Sequence, residues 1–126
     1  MRNFDFNIGI FYNRDVQGVG TFARYMAQNF LDGERVLALD LETTGISTSN
    51  DRIVQIALIG SSVDGVEISY ENLVNPRRSI PIQASNVHGI YDGDVRGLGD
   101  FSTFADEIFT QIEGAVIIGH NVRQFD

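Results

Sequence analysis

The 126 residues carry 43% hydrophobic side chains, 13 glycines, two prolines and no cysteine, enough apolar material for one folded domain and no basis for disulfides or thiolate metal centres. No apolar run approaches the roughly 18 residues of a membrane-spanning helix, and MRNFDFNIG alternates polar with apolar residues where a signal peptide would be continuously apolar; a cytoplasmic protein with no membrane partner is predicted. Seventeen acidic against nine basic residues, all nine of them arginine, give a formal charge of −8. That balance argues against a broad electrostatic footprint on nucleic acid but leaves room for a small site that meets phosphates through metal ions held by oxygen or imidazole.

In chain order, Phe4, Phe6, Ile8 and Ile10 alternate with Asp5, Asn7 and Gly9, the period of a half-buried strand. A turn-like stretch with Gly18 and Gly20 leads to a helical stripe of Phe22, Tyr25, Met26, Asn29 and Phe30, which Asp32-Gly33 ends. Residues 1–34 therefore read as a strand-loop-helix extension, set apart from a second unit at 35–126. That unit opens with three strand-like segments, VLALDLETT, RIVQIALIG and VEISYENLV, whose short connections suit antiparallel neighbours. NPRRSIPIQASNVHGIYDGDVRGLG is rich in turn formers and reads as irregular. Asp100 then caps a helix whose Phe101, Phe104, Ala105, Ile108 and Ile112 share a face, and Gly114 closes it. The apolar AVIIGHN completes the pattern as the buried middle strand of a sheet flanked by helices. The predicted class is α/β with a mixed sheet.

Side chains alternate along a strand, so Leu37, Leu39 and Leu41 point one way and Ala38, Asp40 and Glu42 the other. The Cα atoms of Asp40 and Glu42 then lie roughly 6.5 to 7 Å apart, a separation from which two carboxylates reach cations about 3.5 to 4 Å apart, as in two-metal phosphoryl-transfer sites. The plainer alternative is the solvated face of an edge strand. Thr43-Thr44-Gly45 makes a tight exit whose backbone N–H groups can face an anion, and Asp126 brings another carboxylate off the end of a second strand. Arg77 and Arg78 read either as ordinary solvated loop residues or as guides for a phosphate backbone.

VLALDLETTG, followed by RIVQIALIG, LVNP, IP, VHGI and IIGHNVRQFD, resembles the DEDD superfamily of 3′-to-5′ exonucleases, with motifs in family order from Val36 to Asp126. The resemblance implies a DnaQ-like, ribonuclease H-like mixed sheet flanked by helices. It also implies hydrolysis of terminal phosphodiesters of DNA or RNA at a single-stranded 3′ end by two Mg²⁺ or Mn²⁺ ions. Asp40, Glu42 and Asp126 become the catalytic metal ligands, with Asp40 bridging the ions. The backbone at Thr43 and Thr44 meets the terminal nucleotide, His88 and Asn121 line the cleft, and a polymerase or another replication or repair protein is an expected partner.

Two departures stand out. Three residues, Val122, Arg123 and Gln124, separate Asn121 from Phe125 where close relatives have two. The family's third motif, His followed five residues later by Asp, is missing, since Gly93 lies five beyond His88 and Phe125 five beyond His120. The expectation is thus a truncated domain, weak or inactive alone because loss of a general base costs about 10² to 10⁴ in rate, with an uncovered last strand inviting self-association. Two alternatives remain open: a non-catalytic nucleic-acid or partner-binding remnant, and a glycosyltransferase fragment, since QGVGTFARYMAQNF resembles the first glycine loop and helix of two-domain glycosyltransferases.

Overall fold

Leucines at 37, 39 and 41 set the architecture from strand β2 (Arg35–Thr43) outward. β2 pairs antiparallel with β3 (Ile53–Ser61), which pairs antiparallel with β4 (Glu67–Leu73). On its other side β2 pairs parallel with β5 (Ala115–Gly119), and β5 with the two-residue β1 (Arg2–Asn3). The sheet order is β1-β5-β2-β3-β4, a mixed α/β sheet of the predicted class. The computed structural model describes residues 2–3, 34–47 and 49–119. The strand predicted at residues 4–10, the turn with Gly18 and Gly20, and the helical stripe at residues 22–30 lie outside them, as do His120, Asn121 and Asp126.

The Leu37 face of the sheet packs on helix α3 (Phe101–Ile112). Ile56, Leu58, Val74 and Ile108 form one buried cluster, flanked by Leu39, Leu41, Tyr70, Phe104 and Ile112; Leu37, Ala115 and Ile117 form another beside it. Burying each such side chain contributes about 1.5–3 kcal/mol, which is why these alternating positions decide which way β2 faces. Asp100 caps α3 as predicted, accepting the Thr103 amide at 3.3 Å, and Gly114 follows the helix at φ 73°, a left-handed turn that glycine adopts without strain. The stripe is narrower than the sequence predicts, because Phe101 at the first turn stays 41% exposed.

The segment predicted to be irregular contains two short helices, α1 (Ile82–His88) and α2 (Asp92–Val95). Helices this short do not persist on propensity alone. They form because Ile80, Ile90 and Val95 close over Val54, a tertiary contact that leaves no helical period in the sequence. β5 is likewise less open than predicted: β1 pairs with its Val116 and Ile117, β2 covers its other side, and all five of its residues are buried. Among the described residues, no helix is long and apolar enough to cross a membrane.

Candidate active site

With Leu39 and Leu41 drawn into the α3 core, Asp40 and Glu42 share the opposite face at the C-terminal end of β2, both half-buried. Across β3, Ala57 stands opposite Asp40 and Gln55 opposite Glu42. Gln55 is turned toward β4, donating from Nε2 to Glu71 Oε1 at 2.6 Å. On the other flank β5 runs parallel to β2 and reaches Gly119 level with Leu39, so the chain leaves β5 at the rim where the carboxylates stand. Two carboxylates on one strand face, with no thiolate in the sequence, have the chemistry that suits a hard cation such as Mg²⁺ or Mn²⁺. Asp126, expected as a third ligand, and Asn121 lie outside the described residues; among those described, no three metal-ligating side chains gather.

The exit from β2 is built differently from its prediction. The β2–β3 register slips between Glu42 and Thr43, a bulge of the kind that re-aims side chains beside active sites. Thr44 beyond it is 2% exposed. Its amide donates to the Arg52 carbonyl at 2.8 Å, its hydroxyl donates to Asp51 Oδ1 at 2.8 Å, and the same hydroxyl accepts the Arg52 amide at 3.0 Å. The Thr44 N–H, predicted to face an anion, is therefore spent inside the protein, because the loop that returns to β3 supplies a carbonyl for it. Thr43 also turns its hydroxyl inward, donating to the Gly45 carbonyl.

Asp51 is the residue that sequence reasoning missed. Its Oδ2 accepts the Ser47 amide at 2.9 Å while Oδ1 takes the Thr44 hydroxyl. The Ser47 N–H, then the Thr44 hydroxyl, with Arg78 adding to both, hold its carboxyl below the usual carboxylate range against a smaller opposing effect of burial. Gly45 is required by the same arrangement: a Cβ there would lie 2.5 to 2.8 Å from three atoms of the Asp51 carboxyl. In the sequence, the signal was an Asp placed seven residues after a Thr in a loop that otherwise reads only as a turn.

His88, at the C-terminal end of α1, is 6% exposed. Its Nδ1 accepts the Ile90 amide at 3.1 Å, and Nε2 lies 3.1 Å from the Thr43 carbonyl oxygen. An Nδ1 that accepts leaves the proton on Nε2, so the neutral ring donates to Thr43. His88 thus reaches the strand end predicted to bear the site through Nε2, while Nδ1 ties the ring to its own segment.

A mixed sheet whose second strand ends in a half-buried D-x-E pair, with a parallel strand emptying beside it, is the frame of a DnaQ-like nuclease. The family model RNase_T, described as exonuclease, matches residues 37–126, and the chain belongs to this exonuclease family. It is 34% identical over 116 residues to a DNA polymerase III subunit epsilon-like protein of Rhodobacter capsulatus, covering 89% of this chain and 16% of the relative. It is 30% identical over 94 residues to the 3′-5′ exonuclease DinG of Bacillus subtilis, covering 74% of this chain and 10% of that protein. Among solved structures, Escherichia coli exonuclease I in complex with a dA16 oligonucleotide matches with a TM-score of 0.57 and 25% identity over 68% of this chain and 20% of that one. Exonuclease X in complex with 5′ overhanging duplex DNA matches with a TM-score of 0.52 and 26% identity, over 69% and 49%. The chain thus spans less than half the length of each of these relatives.

Proposed function

We propose that residues 35–126 form a 3′-to-5′ exonuclease domain that binds the single-stranded 3′ end of DNA or RNA and hydrolyses its terminal phosphodiester, with residues 1–34 as an extension of that domain. The observation that carries this reading is the Asp40–Glu42 pair, two half-buried carboxylates on one face of β2 within a family-matched frame. Asp40, Glu42 and Asp126 are the ligands for Mg²⁺ or Mn²⁺, which when bound supplies an activated water and neutralises charge growing on the phosphoryl oxygens. Asp40 and Glu42 present their oxygens from a rigid strand, which fixes their spacing without a loop that must order first. His88 and Asp51 hold the turn through which the strand leaves the site, Thr44 supports that turn from within with its amide and hydroxyl both engaged, and Thr43 and Asn121 shape the nucleotide's end of the cleft.

A second reading is a non-catalytic domain that binds nucleic acid or a replication partner. Among the described residues, no third metal-ligating side chain gathers with Asp40 and Glu42.

Melting the chain with Mn²⁺, with Ca²⁺ and with neither, for the wild type and Asp40→Asn, tests the metal site, because a ligand bound only by the native state raises the melting temperature. The expected result is stabilisation by Mn²⁺ that Asp40→Asn abolishes. Equal melting with and without Mn²⁺ refutes the metal site. Metal-independent oligonucleotide binding, with no cleavage of a 3′-labelled strand, selects the second reading.

A further inference from the structure

We propose that a cleft of about 420 Å³, between the loop after β4 and helix α2, is a subsite for the phosphodiester backbone of the strand whose 3′ end reaches Asp40 and Glu42. The proposal rests on the exonuclease reading above and adds where the rest of the strand runs. Arg77, Arg78 and Arg96 line the cleft, three of the nine basic residues in a chain of charge −8. The carboxylate on its wall, Asp92, is tied into the framework: its oxygens accept the Ile80 amide at 2.8 Å and the Ser79 hydroxyl at 3.1 Å. Positive potential concentrated in a concavity, on a molecule that otherwise repels polyanions, is the local exception that a phosphate backbone can use.

Position ties the cleft to the carboxylates. Leu73 at the end of β4 stands opposite Gln55, and Gln55 opposite Glu42, so the loop that follows leaves the sheet at the Asp40–Glu42 rim. It does so two strands over, about 10 Å at the usual strand spacing. Arg78 Nη1 donates to the Asn50 carbonyl at 2.5 Å, anchoring the cleft to the loop beyond the β2 exit turn.

The loop is also built to display its arginines. Asn75 donates its amide to the Gly99 carbonyl at 2.9 Å and accepts the Arg77 amide on Oδ1 at 2.8 Å. Arg77 is thereby held at φ 56°, a left-handed conformation that a residue with a Cβ adopts only where its surroundings impose it. Its Nε faces Asp100 Oδ2 at 3.4 Å, and the guanidinium fork offers further donors for a phosphate. Contacts of this kind set the register of a strand and carry no base preference.

The test is binding of a 5′-fluorescent twelve-nucleotide oligothymidylate across a salt series, beside Mn²⁺-dependent binding of thymidine 5′-monophosphate as a probe of the terminal site. Each phosphate contact on a single strand contributes about 0.7 to the slope of log Kd against log salt. The triple variant Arg77→Gln/Arg78→Gln/Arg96→Gln is therefore expected to lower that slope by about 2 and weaken oligonucleotide binding at low salt at least tenfold, leaving monophosphate binding intact. Arg96→Gln alone, a side chain with no hydrogen bond or ion pair to the described residues, keeps the fold and should lower the slope by about 0.7.

Unchanged affinity and slope in both variants overturn the proposal. So does an acidic peptide that binds the wild type more tightly than the oligonucleotide and is lost with Arg96→Gln, which assigns the cleft to a protein. If monophosphate binding is absent while arginine-dependent oligonucleotide binding persists, the cleft stands and the exonuclease reading falls.

Discussion

The Nε2 of His88 lies 3.1 Å from the Thr43 carbonyl oxygen, joining the last turn of α1 to the strand end that carries Glu42 across 45 residues of sequence. With Nδ1 taking the Ile90 amide, one buried ring satisfies groups on two separate segments. Removing it leaves buried partners unpaired, at about 1–3 kcal/mol for such a group.

His88→Ala should therefore lose about 1–3 kcal/mol in urea denaturation. His88→Gln, which can restore a donor toward Thr43, should recover part of the loss. A His88→Ala protein that unfolds at the wild-type midpoint would mean that the ring's bonds contribute nothing.

Gly45→Ala sets a methyl group against the Asp51 carboxyl, which two hydrogen-bonded neighbours, Thr44 and Ser47, hold in the turn. The expected cost is about 1–3 kcal/mol, typical of overpacking. In an Asp51→Ala background the obstructing atoms are gone, so the same substitution should cost clearly less, the signature of two residues in contact. Equal costs in both backgrounds would show that the glycine serves another purpose.

Asp51 also predicts a pH dependence. Its native pKa lies below the unfolded value near 3.8, chiefly because the Ser47 amide and the Thr44 hydroxyl bond its charged form. A depressed native value adds stability that is fully present above the unfolded pKa and is lost as pH falls through the native one. Asp51→Asn should accordingly be less stable than the wild type near neutral pH, with the gap closing below about pH 4. Denaturant midpoints measured at both extremes check this; a gap that is constant with pH would exclude the linkage.

Much of the sheet was readable from period alone. The Leu37, Leu39, Leu41 alternation fixes which face of β2 is core, and that choice by itself puts Asp40 and Glu42 together. Asp100 announced α3 for an equally local reason, the preference of its side chain for a free amide at a helix start. The hidden parts depend on contacts distant in sequence. Nothing near Ile80, Ile90 and Val95 signals that Val54 waits beneath them, so α1 and α2 passed for loop. Thr44 looked available to a ligand because the alternation that orients β2 gives no warning of the register slip at Glu42/Thr43, or of the Arg52 carbonyl that claims its amide. The role of Asp51 had only its spacing of seven from Thr44 to announce it, and was passed over for the same reason.

Among the described residues β4 forms the outer margin of the sheet opposite β1, and Glu67, Ser69 and Glu71 stand exposed along one of its faces. The consequence is colloidal. A second copy approaching margin to margin must bring its own glutamates within the roughly 8 Å over which physiological salt leaves like charges unscreened, so the growth of fibrils by strand addition is opposed at its first step. Concentrated solutions of the protein should stay dispersed near neutral pH and turn cloudy when Glu67 and Glu71 are both replaced by glutamine.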